Sequence, residues 1–246
     1  MAAQQKIILV TGGNGGIGYE LVAQMAATSS NHVLLGSRSV EKGSTAVDEL
    51  SSKGLAGTVE LLQLDVTDEK SIAEAVKQVE SKHGRLDALV NNAGVSTADG
   101  TLTARMNWTF QVNATGPAAI VEAFEPLLKK STGTVRIVNV SSGAGSITTR
   151  LIATNPFYEM KVVDYRVSKA ALNMVTACQA AEYGKLGWKV FAFCPGYTVS
   201  KLSNQNTEEY GAQPTSKGAA PIVDILNGKR DEEHGRFLNA TGQFPW

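Results

Sequence analysis

The stretch Thr11–Gly18, "TGGNGGIG", contains five glycines in eight residues. Glycine loses more backbone entropy on folding than any other residue, so such a run needs a structural reason. The apolar run "KIILV" (residues 6–10) precedes it, and the helix-like stretch "IGYELVAQMAA" (residues 17–27) follows it. A strand, a glycine-rich turn and a helix in this order direct backbone N–H groups toward a pyrophosphate. The stretch therefore predicts a dinucleotide-binding turn, and a merely flexible loop is the alternative.

Short apolar runs alternate with longer helical patterns over the rest of the chain. The predicted strands are residues 6–10, 32–36, 59–65, 86–92, 135–141, 189–195 and, more weakly, 235–239. The predicted helices are residues 17–28, 40–53, 68–83, 102–130, 163–185 and 215–227. This alternation is typical of a parallel sheet with helices on both faces. We predict one domain over residues 1–246, an α/β, doubly wound, Rossmann-type fold with a mostly parallel seven-stranded sheet.

Two longer segments interrupt the alternation. Residues 143–162 follow the fifth predicted strand, and residues 197–216 follow the sixth. In open parallel sheets, ligands bind beyond the carboxyl ends of the strands, where both segments begin. Loops longer than about a dozen residues in a compact domain are often lids or binding loops. We therefore expect both segments to shape a substrate pocket.

Charge composition argues against nucleic acid and anionic membranes as partners. The chain has 23 Lys and Arg and 23 Asp and Glu, a net charge of 0, with no basic block. The apolar run at residues 7–10 is too short for a signal peptide or a membrane span. We expect a cytoplasmic monomer or small homo-oligomer that acts on a small molecule. The three histidines, His32, His83 and His234, have no metal-ligand spacing, so no metal site is predicted.

Four further motifs follow the predicted strands. The glycine turn itself fits either T-G-x-x-x-G-x-G or G-x-x-G-x-x-G. Downstream come "NNAG" (91–94), "NVSSGAG" (139–145), "YRVSK" (165–169) and "CPGYT" (194–198). In this order the motifs resemble the short-chain dehydrogenase/reductase family, in its ordinary branch, over essentially the whole chain. "NNAG" and the chain length favour the first spacing. The closing "GRFLNATGQFPW" (235–246) resembles the carbonyl-reductase-like members.

The end of the second predicted strand indicates which cofactor is used. Sites that select NAD carry Asp or Glu about 20 residues beyond the glycines. Here "LLGSRS" (34–39) places Ser37 at that position and Arg38 next to it. A carboxylate would repel a 2′-phosphate, whereas a guanidinium pairs with it. The sequence therefore predicts NADPH/NADP+, and the alternative is that Arg38 is a solvated residue at a helix start.

The resemblance implies a set of cofactor contacts. It places Asp65 at the adenine edge and Asn91 beside the adenosine ribose. The full set implied to bind the cofactor is Gly12, Asn14, Gly16, Ile17, Gly18, Ser37, Arg38, Asp65, Val66, Asn92, Ala93, Gly94, Tyr165, Lys169, Pro195, Gly196 and Thr198.

Tyr165 and Lys169 are four residues apart in a helical pattern, so they share one helix face. A tyrosine with a pKa near 10 is a poor proton donor and acceptor at neutral pH. A nearby ammonium, together with the charge of an oxidised nicotinamide, would lower that pKa. In the family, this tyrosine gives a proton to the substrate oxygen and this lysine holds the nicotinamide ribose.

Two more residues complete the catalytic set implied by the resemblance. Strand alternation directs Ser141 and Ser142 to opposite sides, and the family pattern selects Ser142 to polarise the carbonyl. Asn113, in "VNATG" (112–116), matches the family asparagine that positions a water relaying protons to Lys169. It also fits a kink or cap beside Gly116 and Pro117, and both roles are compatible.

The spacing from Ser142 to Tyr165 is 23 positions, where about a dozen is usual in the family. The extra residues form a pocket wall, block helix-to-helix oligomerisation or only elaborate the surface. Small-molecule pockets are lined mainly by apolar and aromatic side chains. We therefore predict that the substrate contacts Ser96 and the loop side chains Leu151, Phe157, Tyr197, Leu202 and Tyr210.

The resemblance and the intact catalytic set imply an NADPH-dependent carbonyl reductase acting on a small or medium apolar ketone or aldehyde. Two alternatives stay open at this point. One is a non-redox epimerase or dehydratase on the same scaffold, and the other is a non-catalytic dinucleotide-binding sensor.

Overall fold

A computed structural model describes residues 5–246 as eight strands and eight α-helices around one sheet. The strands are β1 Lys6–Thr11, β2 Asn31–Ser37, β3 Thr58–Gln63, β4 Ala88–Asn91, β5 Arg136–Val140, β6 Lys189–Phe193, β7 Phe237–Asn239 and β8 Gly242–Gln243. The helices are α1 Gly16–Ala26, α2 Val40–Ser51, α3 Glu69–His83, α4 Leu102–Phe110, α5 Gly116–Leu128, α6 Ile147–Arg150, α7 Val163–Tyr183 and α8 Thr215–Leu226.

The sheet has the order β3-β2-β1-β4-β5-β6-β7-β8, and β1 to β7 pair in parallel. The strand order reverses between β1 and β4, which is where doubly wound sheets open a crevice for ligands. The predicted Rossmann-type class is therefore confirmed. The predicted count of seven strands is short by one, because β8 turns back antiparallel to β7. This turn depends on Gly242, at φ 149°, and a two-residue strand has no detectable alternation.

The core lies on both faces of the sheet. Neighbouring residues of β1 point to opposite faces, so Leu9 packs in one apolar cluster and Ile8 in the other. The Leu9 cluster includes side chains of α3, α5 and α7, whereas the Ile8 cluster includes side chains of α1 and α8. Burial on both faces explains why β1 and β4 read as continuous apolar runs.

The two long segments after β5 and β6 are partly ordered into short turns. Residues 143–162 contain a 3₁₀ turn at Gly143–Gly145 and the one-turn helix α6. Residues 197–216 contain a 3₁₀ turn at Glu208–Tyr210 before α8 begins. None of the helices formed by residues 5–246 combines the length and the apolar character that crossing a membrane requires.

Candidate active site

A groove of about 700 Å³ opens at the carboxyl edge of the sheet, where the strand order reverses. The residues expected to bind cofactor that line it are Gly12, Asn14, Gly16, Ile17, Ser37, Arg38, Asp65, Val66, Asn92, Ala93, Gly94, Tyr165, Lys169 and Pro195. These residues come from the ends of five strands, from the start of α1 and from α7. The parallel sheet thus gathers motifs that are distant in sequence into one groove.

The glycine turn lies between β1 and α1. Gly12 and Gly16 have φ values of 63° and 55°, which side chains rarely adopt. A Cβ on Gly18 would lie 2.4 Å from the Gly12 carbonyl oxygen, so Gly18 allows α1 to pack closely against the turn. Gly18 therefore supports the turn from beneath and is not part of the groove lining.

The N-terminus of α1 differs from those of α2 and α3. Ser39 and Asp68 cap α2 and α3 by accepting a backbone N–H, whereas α1 begins after Gly15, which has no capping side chain. The first N–H groups of a helix need partners, and anions are favoured there. Gly15, Gly16 and Ile17 line the groove, so this end of α1 fits a phosphate.

The end of β2 supplies cations to the groove. Arg38 lines it, and this guanidinium pairs with no carboxylate among residues 5–246. Ser37 is buried, and its hydroxyl donates to the Ser39 carbonyl oxygen at 2.9 Å. Lys42, in the first turn of α2, also lines the groove and was not predicted from the sequence. Glu41 lines the same end, so the charge there is mixed.

The ends of β3 and β4 form the next wall. Asp65 lines the groove, and its Oδ1 accepts from the backbone N–H of Thr67 at 2.9 Å. Asn92, rather than Asn91, lines the groove, and its amide donates to the Thr11 carbonyl oxygen at 2.9 Å. The expectation for Asn91 is wrong. Strand alternation directs its amide inward, where it donates to Asn139 Oδ1 at 2.8 Å.

Tyr165 and Lys169 lie together in the groove on α7. The Lys169 ammonium is 5.8 Å from the centre of the Tyr165 ring and donates to the Val140 carbonyl oxygen at 2.8 Å. Burial raises the pKa of Tyr165 to about 12, and a hydrogen bond with the Ser142 side chain opposes this rise. Burial also lowers the pKa of Lys169 to about 8.

The direction of the Tyr165 pKa is therefore opposite to that expected from sequence. Burial disfavours the phenolate more strongly than the groups around it favour it. The sequence-based expectation of a lowered Tyr165 pKa also included the positive charge of an oxidised nicotinamide. That charge belongs to the cofactor, so it does not act on the pKa of Tyr165 in the protein alone. The protein alone holds Tyr165 as a neutral phenol, which is the form that can donate a proton.

The two serines after β5 face different partners. Ser141 is buried, and its hydroxyl donates to Asn173 Oδ1 at 2.6 Å. Ser142 lies close enough to the Tyr165 hydroxyl for its side chain to oppose the rise in the pKa of that phenol. Ser142 also caps the following 3₁₀ turn by accepting from the Ala144 N–H at 3.2 Å.

Asn113 lies in a π-helical turn, Gln111–Thr115, that interrupts the predicted continuous helix. Its side-chain oxygen accepts from the Val95 N–H at 2.9 Å, and its amide donates to Ser168 Oγ at 2.9 Å. Pro117, four residues later, has no N–H to donate to the Asn113 carbonyl. The Asn113 side chain thus holds the loop after β4 against α7.

Asn113, Ser142, Gly196 and Thr198 are not among the groove-lining residues, whereas Ser141 is. The Thr198 hydroxyl donates to the Pro195 carbonyl oxygen at 3.2 Å and accepts from Gln213 Nε2 at 3.2 Å. Thr198 therefore maintains the turn after β6. The groove is lined instead by Leu202, which the sequence predicts as a pocket residue, and by its neighbours Ser200 and Lys201, which the sequence did not single out.

The two long segments meet through one aromatic contact. The rings of Phe157 and Tyr197 pack edge to face with centres 6.2 Å apart. The Ser96 hydroxyl donates to the Leu202 carbonyl oxygen at 2.5 Å, which joins the loop after β4 to the loop after β6. Leu151 and Tyr210 are 79% and 59% exposed, so in this conformation these two residues contribute little to a pocket wall.

Comparison with known proteins agrees with this geometry. The family model for short chain dehydrogenase matches residues 6–211. A short-chain dehydrogenase/reductase of Aspergillus fumigatus is 35% identical, over 97% of this chain and 93% of the relative. Another, from Phoma sp, is 33% identical over 100% of this chain and 99% of the relative.

A solved structure has the same fold. The NADPH-bound carbonyl reductase from chicken fatty liver superposes with a TM-score of 0.82 and 28% identity, over 99% of this chain and 100% of that one. The match to the family model and the two relatives each cover most of the chain. The chain belongs to the short-chain dehydrogenase/reductase family of oxidoreductases.

Proposed function

We propose that the protein is an NADPH-dependent carbonyl reductase that converts a small or medium apolar ketone or aldehyde to an alcohol. One observation carries the proposal: a single groove has cations at one end and the proton-donating residues at the other. Arg38 and Lys42 lie at the α2 end, and Tyr165 and Lys169 lie on α7. A dinucleotide has its 2′-phosphate and its nicotinamide at opposite ends, which suits this arrangement.

The groove fits the proposed cofactor along its whole length. The uncapped N-terminus of α1 would bind the pyrophosphate, and Asp65 and Asn92 would flank the adenosine. Arg38, with Lys42 behind it, would pair with the 2′-phosphate. When bound, the nicotinamide supplies the hydride.

The chain's own residues supply the proton and orient the substrate. The Ser142 hydroxyl would donate to the substrate carbonyl oxygen and polarise it, since it lies beside the Tyr165 hydroxyl. Tyr165 would then donate its proton to the same oxygen as negative charge develops there. Lys169, held by the Val140 carbonyl, would stabilise the resulting phenolate. A water held by the Asn113 carbonyl would return a proton toward Lys169.

The substrate pocket is proposed to be apolar and closed by the two long segments. Val95 and Leu202 line the groove, and Phe157 packs against Tyr197 next to it. Apolar and aromatic side chains line small-molecule pockets, and few polar groups are needed to orient the ligand. Closure over the substrate would exclude water from the reacting atoms.

The test is a reductase assay with a panel of ketones and aldehydes, following absorbance of the reduced cofactor. NADPH should support turnover of apolar carbonyls, and NADH should be clearly poorer. Tyr210→Phe is a matched control for Tyr165→Phe, because Tyr210 is 59% exposed. Loss of activity in Tyr165→Phe alone supports the assignment. Turnover that persists in Tyr165→Phe, or a preference for NADH, overturns it.

A further inference from the structure

A second cluster of potential ligands lies at the opposite edge of the sheet from the groove. His32 begins β2 after Asn31, Glu60 lies near the start of β3, and His83 ends α3. His32 pairs in register with Thr58, so Glu60 is two residues along the same face. Helix α3 packs on that face and brings His83 to the same place.

We propose that His32, Glu60 and His83 form a binding site for a divalent transition metal of the zinc type. One ligand atom from each residue lies within 4.8 Å of the other two. Glu60 Oε2 is 3.3 Å from His32 Nε2 and 3.2 Å from His83 Nε2. Ligands about 2.0–2.1 Å from a tetrahedral Zn²⁺ are separated by about 3.3 Å. Two of the three separations therefore already suit a metal, and the fourth position would hold water.

The ring nitrogens are arranged as metal ligands need to be. His32 Nδ1 lies 2.6 Å from Thr58 Oγ1, and His32 Nε2 lies 3.3 Å from Glu60 Oε2. In the tautomer whose Nδ1–H donates to Thr58, Nε2 carries the lone pair that would bind a metal between the ring and the carboxylate. His83 Nε2 is buried and makes no hydrogen bond to any group among residues 5–246, although Glu60 is near. A buried, unpaired ring nitrogen is costly unless something else binds it.

The surroundings of Glu60 orient its carboxylate so that one oxygen faces the two imidazoles. Lys82 Nζ lies 2.6 Å from Glu60 Oε1, and Gln78 Nε2 lies 3.4 Å from the same atom. These contacts occupy Oε1 and orient the carboxylate, which leaves Oε2 for the metal. His83 is also at the C-terminus of α3, where the helix dipole favours positive charge. Imidazole and carboxylate together suit zinc better than calcium or magnesium.

A metal here would fasten β2, β3 and the end of α3 together at the edge of the sheet. Binding to the folded state alone stabilises it in proportion to the logarithm of free metal. Zn²⁺ at about 100 times its Kd should raise Tm by roughly 5–10 °C in a protein of this size. NADPH affinity should not change, because the groove lies at the opposite ends of the strands.

The experiment titrates Zn²⁺ into the full chain and measures Tm and affinity. Every protein carries Cys178→Ser, because Cys178 is exposed and could bind zinc independently. His32→Gln, His83→Gln and Glu60→Gln should each weaken binding at least tenfold and abolish the Tm shift. His234→Gln is the matched control, because it removes a histidine outside the cluster and should keep the shift.

Cobalt(II) gives a second measurement that does not depend on stability. Tetrahedral nitrogen and oxygen coordination should produce visible absorption bands in the parent protein and in His234→Gln, and these should be absent from His83→Gln. The proposal is overturned if Zn²⁺ binds no more tightly to the parent than to His83→Gln. It is also overturned if the control loses binding to the same extent.

Discussion

The groove and the two long loop segments are built differently. The strand-end half of the site consists of residues 12–18, 37–38, 65–66 and 92–94. The loop half consists of residues 143–162 and 197–210, of which residues 200–202 line the groove. In the strand-end half, the buried Thr11 hydroxyl accepts the backbone N–H groups of Asn92 and Ala93 at 3.0 Å. In the loop half, the partly exposed rings of Phe157 and Tyr197 pack on each other.

This difference predicts that side chains in the strand-end half are held in fixed positions, whereas side chains in the loop half can rearrange. Side chains at strand ends are positioned by sheet register, so removing one changes a defined interaction. Side chains in the loops are held by a few contacts that can rearrange. When one of these side chains is removed, its neighbours can adjust, so the loss of binding free energy is small. Substitutions should therefore have large and specific effects in or beside the strand-end half, and smaller effects on substrate affinity in the loop half.

The largest effect is expected at the boundary between the halves. Tyr165→Phe removes the proposed proton donor but keeps the ring, so kcat should fall about 10²–10⁴-fold. NADPH affinity, measured by fluorescence titration, should stay close to that of the unmodified protein. A variant that keeps more than a tenth of kcat would show that the proton comes from elsewhere.

The serine pair gives the next largest effect and a built-in control. Ser142→Ala removes the hydroxyl beside Tyr165, and kcat should fall about 10²–10³-fold, as for an oxyanion donor. Ser141→Ala leaves Asn173 without its buried donor, so it should reduce Tm and leave kcat within a fewfold. Steady-state kinetics and thermal denaturation of both variants decide this, and the reverse order would contradict the geometry.

Cofactor preference should change at the end of β2. Arg38→Asp removes a charge-assisted contact and introduces repulsion of the 2′-phosphate, so kcat/KM with NADPH should fall about ten- to a hundredfold. The ratio of NADPH to NADH efficiency is the measurement. Lys42→Gln should shift the same ratio less, since Lys42 supports Arg38 from the start of α2. An unchanged ratio in Arg38→Asp would contradict NADPH selection by this residue.

Stability should depend on pH through Lys169. The pKa of Lys169 is about 8 in the folded protein and about 10.5 in the unfolded protein, because burial disfavours the charged ammonium. Below pH 8 the lysine is charged in both states, so folding bears the full cost of burying that charge. The free energy of unfolding therefore rises with pH between 8 and 10.5. Relative to Lys169→Met, the unmodified protein should gain about 1–2 kcal/mol from pH 8 to pH 10 in urea denaturation. Equal pH profiles would contradict the lowered pKa.

Tyr165 changes the free energy of unfolding in the opposite direction at higher pH. Its pKa rises from 10 to about 12 on folding, so stability falls as the pH increases through that interval. The comparison with Lys169→Met is best made below pH 10, where this loss has not begun.

The smallest effects are expected in the loop half. Phe157→Ala and Tyr197→Ala remove half of an aromatic contact, worth about 1 kcal/mol, and should raise KM roughly fivefold. NADPH affinity should not change. Leu151→Ala is the matched control, because Leu151 is 79% exposed. Hydrogen exchange at residues 197–210 should slow when NADP+ and product are bound. If KM is unchanged in both variants and hydrogen exchange is the same with and without ligand, the loop has no role in substrate binding.

The sequence by itself determined the parallel part of the sheet, the glycine turn and the helix face that carries Tyr165 and Lys169. The hydrophobic periods of strands and helices are local, so the alternating strands and helices from β1 to α3 can be recognised from the sequence without tertiary contacts. The Gly12 and Gly16 positions follow from backbone angles that favour glycine. Tyr165 and Lys169 share a face because four residues make about one helical turn.

Only the tertiary structure decided which residues meet across long separations. Sheet register brings His32 and Glu60 together, and the packing of α3 adds His83. The turn after β6 withdraws Thr198 from the groove through a hydrogen bond with Gln213. Such contacts depend on where distant segments pack, and no local period encodes that. Burial acts in the same way, since it raises the Tyr165 pKa although the lysine spacing suggests a lowering.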